Sequence, residues 1–213
     1  MRFRWGAYVL VVALAACGSS SAVASSTTQV SSAHAASCGA ADGQTLAASR
    51  LARVYSLQGE VYGCAVGTHR SYRLGAGART LRESRVGPIA VAGEDAAYGL
   101  TGFGVDTISS EVVVRNLASG QRIHRASAST FVAAESFQSV DSIVVRADGA
   151  VAWISQASSI ISHQTPTFQV WRIDARGKSL LDSGSSIVSR SLRRSGSLVS
   201  WRSGSSTRTA TLR

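Results

Sequence analysis

Residues 113–121 (VVRNLASGQ) and residues 170–178 (VWRIDARGK) align without a gap at an offset of 57 positions. The two stretches share Val, Arg, Ala and Gly at equivalent places. In each, a run rich in β-branched or aromatic residues precedes a glycine that can adopt a positive φ, which is typical of a strand followed by a tight turn. The chain therefore repeats a strand-and-turn unit.

A second alignment joins the segments before these stretches, residues 143–153 and residues 192–201, and looser copies surround Gly59 and Gly93. Apolar residues in short runs with a period of two predict strands rather than helices. We therefore expect an all-β protein of antiparallel four-stranded meanders, with a β-sandwich or barrel as the alternative. The predicted units span residues 51–74, 86–126, 140–183 and 187–212, and the first and last are expected to be a strand short.

The phrase around Val170-Trp171 and Gly177 resembles the third strand and following turn of a β-propeller blade of the WD40-like or TolB-type class. Arg172 and Arg176 stand where that phrase has Asp and Thr. The resemblance implies a small propeller-like array of about four blades. The resemblance covers roughly residues 52–212 as repeats, but it is specific in only two of the repeat units.

The composition is that of a globular protein, with 45% hydrophobic residues among 213 and a formal net charge of +10. It excludes disorder throughout, and no apolar run beyond the start is long enough for a membrane-spanning helix. Arginine supplies nearly all the positive charge, because Lys178 is the sole lysine. The arginines are spread along the chain, so we expect at most a weak attraction to anionic wall polymers or lipid headgroups and no nucleic-acid partner.

The N-terminal region carries an export pattern. Residues 1–16 join Arg2 and Arg4 to a short apolar run, as in a signal peptide. Residues 14–17 (LAAC) resemble the lipobox of bacterial lipoproteins, which implies acylation of Cys17; the alternative is cleavage after residue 24 or 36. Residues 17–37 read as a Ser/Ala-rich flexible tether and residues 38–213 as a single β domain. We expect an envelope protein, either lipid-anchored or secreted.

Cys38 and Cys64 are the two cysteines of the predicted domain. Because export places them in an oxidising compartment, we expect a disulfide, with one buried and one exposed free thiol as the alternative. Two cysteines without a nearby His pair do not make a zinc site, so we expect no metal and no cofactor.

In a meander, successive connections alternate between the two ends of the sheet. The glycine turns then share one end, and the longer connections (residues 75–85, 101–110, 127–139 and 156–167) share the other. These connections carry the candidate binding residues Phe103, Asp106, Phe131, Phe137 and His163. Aromatic rings beside charged groups are typical of contact surfaces for a protein or glycan, although the rings could instead tuck under their own loops.

No G-x-S-x-G elbow, complete P-loop or H-E-x-x-H motif occurs in the chain. The sequence therefore favours a binding or scaffolding module over an enzyme. Two alternatives stay open: an exported serine hydrolase using His163 and Asp106 with a distant serine, and a structural subunit of a larger ring. The oligomeric state and the ligand do not follow from the sequence.

Overall fold

A computed structural model describes residues 38–77, 84–130, 136–159 and 165–213. The protein is all-β over these residues, with no helix among them, which confirms the predicted fold class. The predicted signal peptide, Cys17 and the predicted tether lie outside the described residues. The described part has no helix long and apolar enough to cross a membrane.

The strands follow one another along the chain with short connections. The first eight are β1 (Gln44–Ala48), β2 (Ala52–Leu57), β3 (Glu60–Ala65), β4 (Ser71–Ala76), β5 (Arg85–Ala92), β6 (Asp95–Phe103), β7 (Ile108–Asn116) and β8 (Arg122–Ser127). The remaining strands are β9 (Ser136–Val145), β10 (Val151–Ser159), β11 (Thr167–Asp174), β12 (Gly177–Gly184), β13 (Arg193–Ser195), β14 (Leu198–Ser203) and β15 (Ser206–Thr211).

Strands β1 to β12 form one mixed 12-stranded sheet, and β13 to β15 form a separate three-stranded terminal sheet. Within the large sheet, β1–β4, β5–β8 and β9–β12 are antiparallel meanders. Single parallel pairs, Ala76 with Arg85 and Ile108 with Phe137, join one meander to the next. The first meander has four strands where the sequence predicted one fewer, because β1 precedes the predicted unit. The strand order is open, running from β1 to β12.

The two repeated stretches occupy the same place in successive meanders. Residues 113–116 end β7 and residues 170–174 end β11, and each of these is the third strand of its meander. Gly120 and Gly177 both have a positive φ, at 75° and 94°, and stand at the turn to the fourth strand. The strand-and-turn repeat read from the sequence thus corresponds to a repeated place in the strand order.

Hydrophobic clusters lie between consecutive meanders and between the third meander and the terminal sheet. One cluster joins the first and second meanders through residues such as Val54 and Val113, and another joins the second and third through Val112 and Trp153. A third includes Ile154 of β10 and residues of the terminal sheet. Neighbouring residues on a strand point to opposite faces, so the unbroken apolar runs of β7 and β10 belong to strands buried on both sides.

The turns of Gly93, Gly120, Gly149 and Gly177 lie at one end of the strands, as predicted, whereas the Gly59 turn lies at the other end, where Gly77 N–H donates to the carbonyl of Gly59. The backbone N–H of Leu117 donates to the carbonyl of Glu94 at 2.8 Å, and Ala175 N–H donates to the carbonyl of Arg213 at 3.1 Å. Gly93 lies so close to the next turn that a Cβ there would stand 2.8 Å from the Cβ of Ala147. The C-terminal ends of β4, β6, β8 and β10 lie at the other end, which we call the connection end.

The Cys38–Cys64 disulfide is present, as predicted, with the two Cα atoms 5.9 Å apart. It ties the segment before β1 to β3, where both cysteines and Tyr55 are buried together. The guanidinium of Arg53 holds the same segment by donating hydrogen bonds to the carbonyl oxygens of Cys38, Ala40 and Gly43. The segment before β1 thereby covers Arg53, Tyr55 and Cys64 of the first meander.

Candidate functional site

A row of three large apolar residues crosses the strands at the connection end. Phe103 closes β6 and pairs with Ile108, the first residue of β7. Ile108 in turn pairs with Phe137 near the start of β9. Both phenylalanines are half-buried. The row therefore spans the junction between the second and third meanders and leaves part of each ring accessible.

Arg85 adds a cation to this row. It pairs with Thr101 of β6, which places it diagonally from Phe103, and its guanidinium carbon lies 5.1 Å from the Phe103 ring centroid. Such cation–π contacts stabilise by about 0.5–1 kcal/mol at exposed sites. The buried Nε of Arg85 has no hydrogen-bond partner within the described residues.

The hairpin that joins β6 to β7 projects beyond the row. Gly104 N–H donates to the carbonyl of Thr107 at 2.7 Å and closes the turn. Val105 at its tip is 99% exposed, and Asp106 beside it is also exposed. A fully solvated β-branched residue has no packing role within the described part of the chain, so the tip presents apolar surface and a carboxylate outward.

Hydroxyl groups fix the strands behind the row. The Thr101 and Ser110 side chains are hydrogen-bonded at 2.9 Å, and Ser110 Oγ donates to the carbonyl of Gln138 at 2.9 Å. Ser110 is buried, so these bonds are shielded from water. They hold β6, β7 and β9 together one or two residues further along the strands from Phe103, Ile108 and Phe137.

The structure brings three of the five predicted binding residues to the connection end: Phe103, Asp106 and Phe137. Phe131 and His163 lie outside the described residues. The expectation that Phe103 and Phe137 sit in loops is wrong, because β6, β7 and β9 extend further than the turn signals indicated. Sequence reasoning missed Ile108 and Val105; the alternation of β7, continued backward from Ser110, is a signal that could have found Ile108.

Two side chains with shifted pKa values, His124 and Asp95, lie away from this row. Burial lowers the pKa of His124 on β8, and the charge of Asp95 partly opposes that shift. Burial raises the pKa of Asp95, although a 2.8 Å hydrogen bond from Asn116 works in the opposite direction. No serine hydrogen-bonds to His124 among the described residues, so this pair is not arranged as part of a hydrolase triad there.

No cluster of three His, Cys, Asp or Glu side chains in the described ranges is arranged to hold a metal ion. No known protein-family model matches the chain, and no curated protein gives a significant match to it.

Proposed function

We propose that this protein is an exported binding module of the cell envelope that recognises a protein or a glycan through its connection end. The observation that carries the proposal is the combination, at one end of the strands, of the exposed Val105, the half-buried ring of Phe103 and the Arg85 guanidinium over that ring. Contact surfaces commonly join aromatic anchors to an arginine in this way.

The rigid support of the row favours recognition by a preformed surface. Phe103 and Phe137 lie in paired strands rather than in long loops, and the Ser110 hydroxyl bonds the strand behind them. A surface that is ordered before binding loses less conformational entropy on association. The proposed contact therefore has a fixed shape, and the Gly104–Thr107 turn adds its most prominent point.

The finer form of the fold belongs to the same proposal. We infer that the three meanders and the terminal sheet are successive blades of a small propeller-like array of the WD40-like or TolB-type class. Two features support this: the first strands β1, β5 and β9 contact one another in order, and each meander shares a hydrophobic cluster with the next unit. The inferred place in the cell rests on the export pattern, and the Cys38–Cys64 disulfide is consistent with an oxidising compartment.

Site-specific photo-crosslinking in envelope preparations tests this function. A photoreactive amino acid at position 105 should yield discrete adducts with protein or glycan, because that position lies at the tip of the proposed surface. The same probe at Leu51, which is 51% exposed in a turn at the opposite end, is the matched control. Adducts of equal yield at both positions, or none at position 105, would reject the proposal.

The variant Val105→Asp sharpens the same test. Because Val105 is solvated, a charge there should leave the free energy of unfolding within about 0.5 kcal/mol of wild type. It should nevertheless abolish adducts formed from a probe at the neighbouring position 106. Retention of those adducts in a folded Val105→Asp protein would count against an apolar contact at this end.

A further inference from the structure

The C-terminal part of the chain has an unusual charge distribution. Residues 183–213 contain six arginines and no aspartate or glutamate. They are also rich in serine and threonine, so positive charge alternates with hydroxyl groups along the terminal sheet. Arg208 is paired with Asp182 of β12, and Arg194 donates to the carbonyl of Gly196. The other five arginines of this segment form no side-chain ion pair with a carboxylate among the residues that the structure describes.

A groove of about 380 Å³ lies on this sheet and brings several of these residues together. The strand register pairs Arg193 with Ser200 and Arg202 with Thr207. Directly paired residues, and residues two apart on one strand, share a face of a sheet. These four side chains therefore form a square on one face, and Arg190 and Ser191 complete the lining from the segment before β13.

Two side chains, those of Arg193 and Ser191, hold the groove in shape through four hydrogen bonds. Arg193 Nη1 donates to the carbonyl oxygens of Arg190 and Leu192 at 3.0 and 2.8 Å. Ser191 Oγ accepts the backbone N–H of Arg202 at 2.9 Å and donates to the carbonyl of Val188 at 2.7 Å. The segment before β13 is thus fastened to β14, and Arg193 is held in place before any ligand arrives.

The other donors of the groove are available. The guanidinium groups of Arg190 and Arg202 and the hydroxyl groups of Ser200 and Thr207 make no side-chain hydrogen bond or ion pair with any other residue that the structure describes. Three positive charges with no carboxylate among the lining residues repel one another. A bound anion would relieve that repulsion.

We propose that this groove binds a phosphoryl group. A guanidinium donates two parallel hydrogen bonds to a phosphate, and three guanidinium groups around one groove suit an anion with several outward oxygens better than a two-oxygen carboxylate. The hydroxyl groups of Ser200 and Thr207 supply neutral donors to the same oxygens. The groove volume admits one phosphoryl group with part of the alcohol that carries it. This site is separate from the connection-end surface formed by Phe103 and Phe137.

The test uses the oxidised protein and two phosphate sources. Binding of glycerol phosphate is measured by heteronuclear NMR at constant ionic strength, with acetate as the comparison anion. Binding to vesicles of phosphatidylglycerol, with neutral phosphatidylcholine vesicles as the comparison, reports whether the phosphoryl group can belong to a lipid. We expect saturable shifts confined to residues around the groove for glycerol phosphate and no saturation with acetate.

Arg190→Gln and Arg202→Gln remove guanidinium groups that have no partner in the described residues, so the sheet should stay folded. Each should weaken glycerol phosphate binding by about tenfold, the loss of one charge-assisted interaction. Arg122→Gln on β8 removes an exposed arginine elsewhere and should leave the affinity unchanged. If the groove variants also bind phosphatidylglycerol vesicles more weakly than wild type, the phosphoryl group can belong to a lipid. If the protein binds glycerol phosphate but not the vesicles, the phosphoryl group belongs to a soluble or polymeric molecule.

Three results would overturn the proposal: shifts spread over arginines throughout the chain, equal weakening by Arg122→Gln, or equal affinity for acetate. Vesicle binding that survives in both groove variants, without glycerol phosphate binding, would likewise assign the interaction to net charge. Loss of the connection-end adducts in a Val105→Asp protein does not alter these outcomes, so the two sites are tested independently.

Discussion

The indole Nε1 of Trp201 donates a 2.7 Å hydrogen bond to Oδ2 of Asp182. Trp201 lies in β14 of the terminal sheet and Asp182 in β12 of the third meander, so the bond joins the two sheets that share the third hydrophobic cluster. The other carboxylate oxygen of Asp182 accepts from Arg208. One buried carboxylate therefore fixes the position of the terminal sheet and neutralises one of its arginines.

Asp182→Ala should destabilise the protein by about 2 kcal/mol or more, because it leaves the buried indole N–H without an acceptor and removes the partner of Arg208. Asp182→Asn keeps an oxygen that can accept from Trp201, so its free energy of unfolding should fall by less than that of Asp182→Ala. Urea unfolding followed by tryptophan fluorescence measures both. Equal stability of the alanine variant and wild type would contradict the role given to this bond.

Arg53 is predicted to be a second key residue for stability. It is 5% exposed, and its Nε also donates to Thr45 Oγ1 at 2.8 Å. Arg53→Met should cost about 2–3 kcal/mol by leaving several carbonyl oxygens unpaired, and Arg53→Lys should restore only part of that, since an ammonium lacks the planar fork. The exposed neighbour Arg50, replaced by Met, is the control and should change stability by about 0.5 kcal/mol at most. A loss at position 50 equal to that at 53 would refute the prediction.

The Cys38–Cys64 bridge closes a loop with a sequence separation of 26. Replacing both cysteines by serine should lower the free energy of unfolding by about 3.5 kcal/mol on the loop-entropy account. Arg53 and the disulfide hold the same segment, so a double-mutant cycle should show coupling: Arg53→Met should cost less when the bridge is absent. Strictly additive losses would show that the two act on separate parts of the fold.

The sequence carried the local features of the fold well. The period of two and the glycines near residues 120 and 177 marked strands and turns, and the cysteine count together with the export pattern predicted the bridge. β1 (QTLAA) was not predicted, because it is exposed and lacks the apolar alternation of the other strands. Contacts between sheets, such as Trp201 with Asp182, were not predictable from the sequence, because these residues meet only after the strands have packed together.

The candidate sites were less predictable for a physical reason. Phe103 and Phe137 stood out as aromatic, but their neighbour Ile108 joins them through a single parallel pair between meanders, which no local pattern reports. Likewise, the arginines of residues 183–213 looked dispersed along the chain. The register of β13, β14 and β15 brings Arg193 and Arg202 to one face, and that depends on pairing rather than on adjacency.

Acid should destabilise the protein through His124. Burial lowers the pKa of His124 below its unfolded value of about 6.5, so the neutral imidazole contributes stability above that pH. This contribution is lost as the pH falls through the folded-state pKa. His124→Gln should therefore flatten the decline in the free energy of unfolding below about pH 6.5, measured by urea titration at several pH values.

Asp95 provides the internal check on that prediction. Its charge opposes the lowering of the His124 pKa, so Asp95→Asn should move the imidazole titration, followed by NMR, to still lower pH. Burial raises the pKa of Asp95 itself, and its own contribution has the opposite sign: it is present at low pH and is lost as the pH rises through the folded-state pKa. An unchanged His124 titration in Asp95→Asn, or an unaltered acid slope in His124→Gln, would show that the two groups do not govern stability in this range.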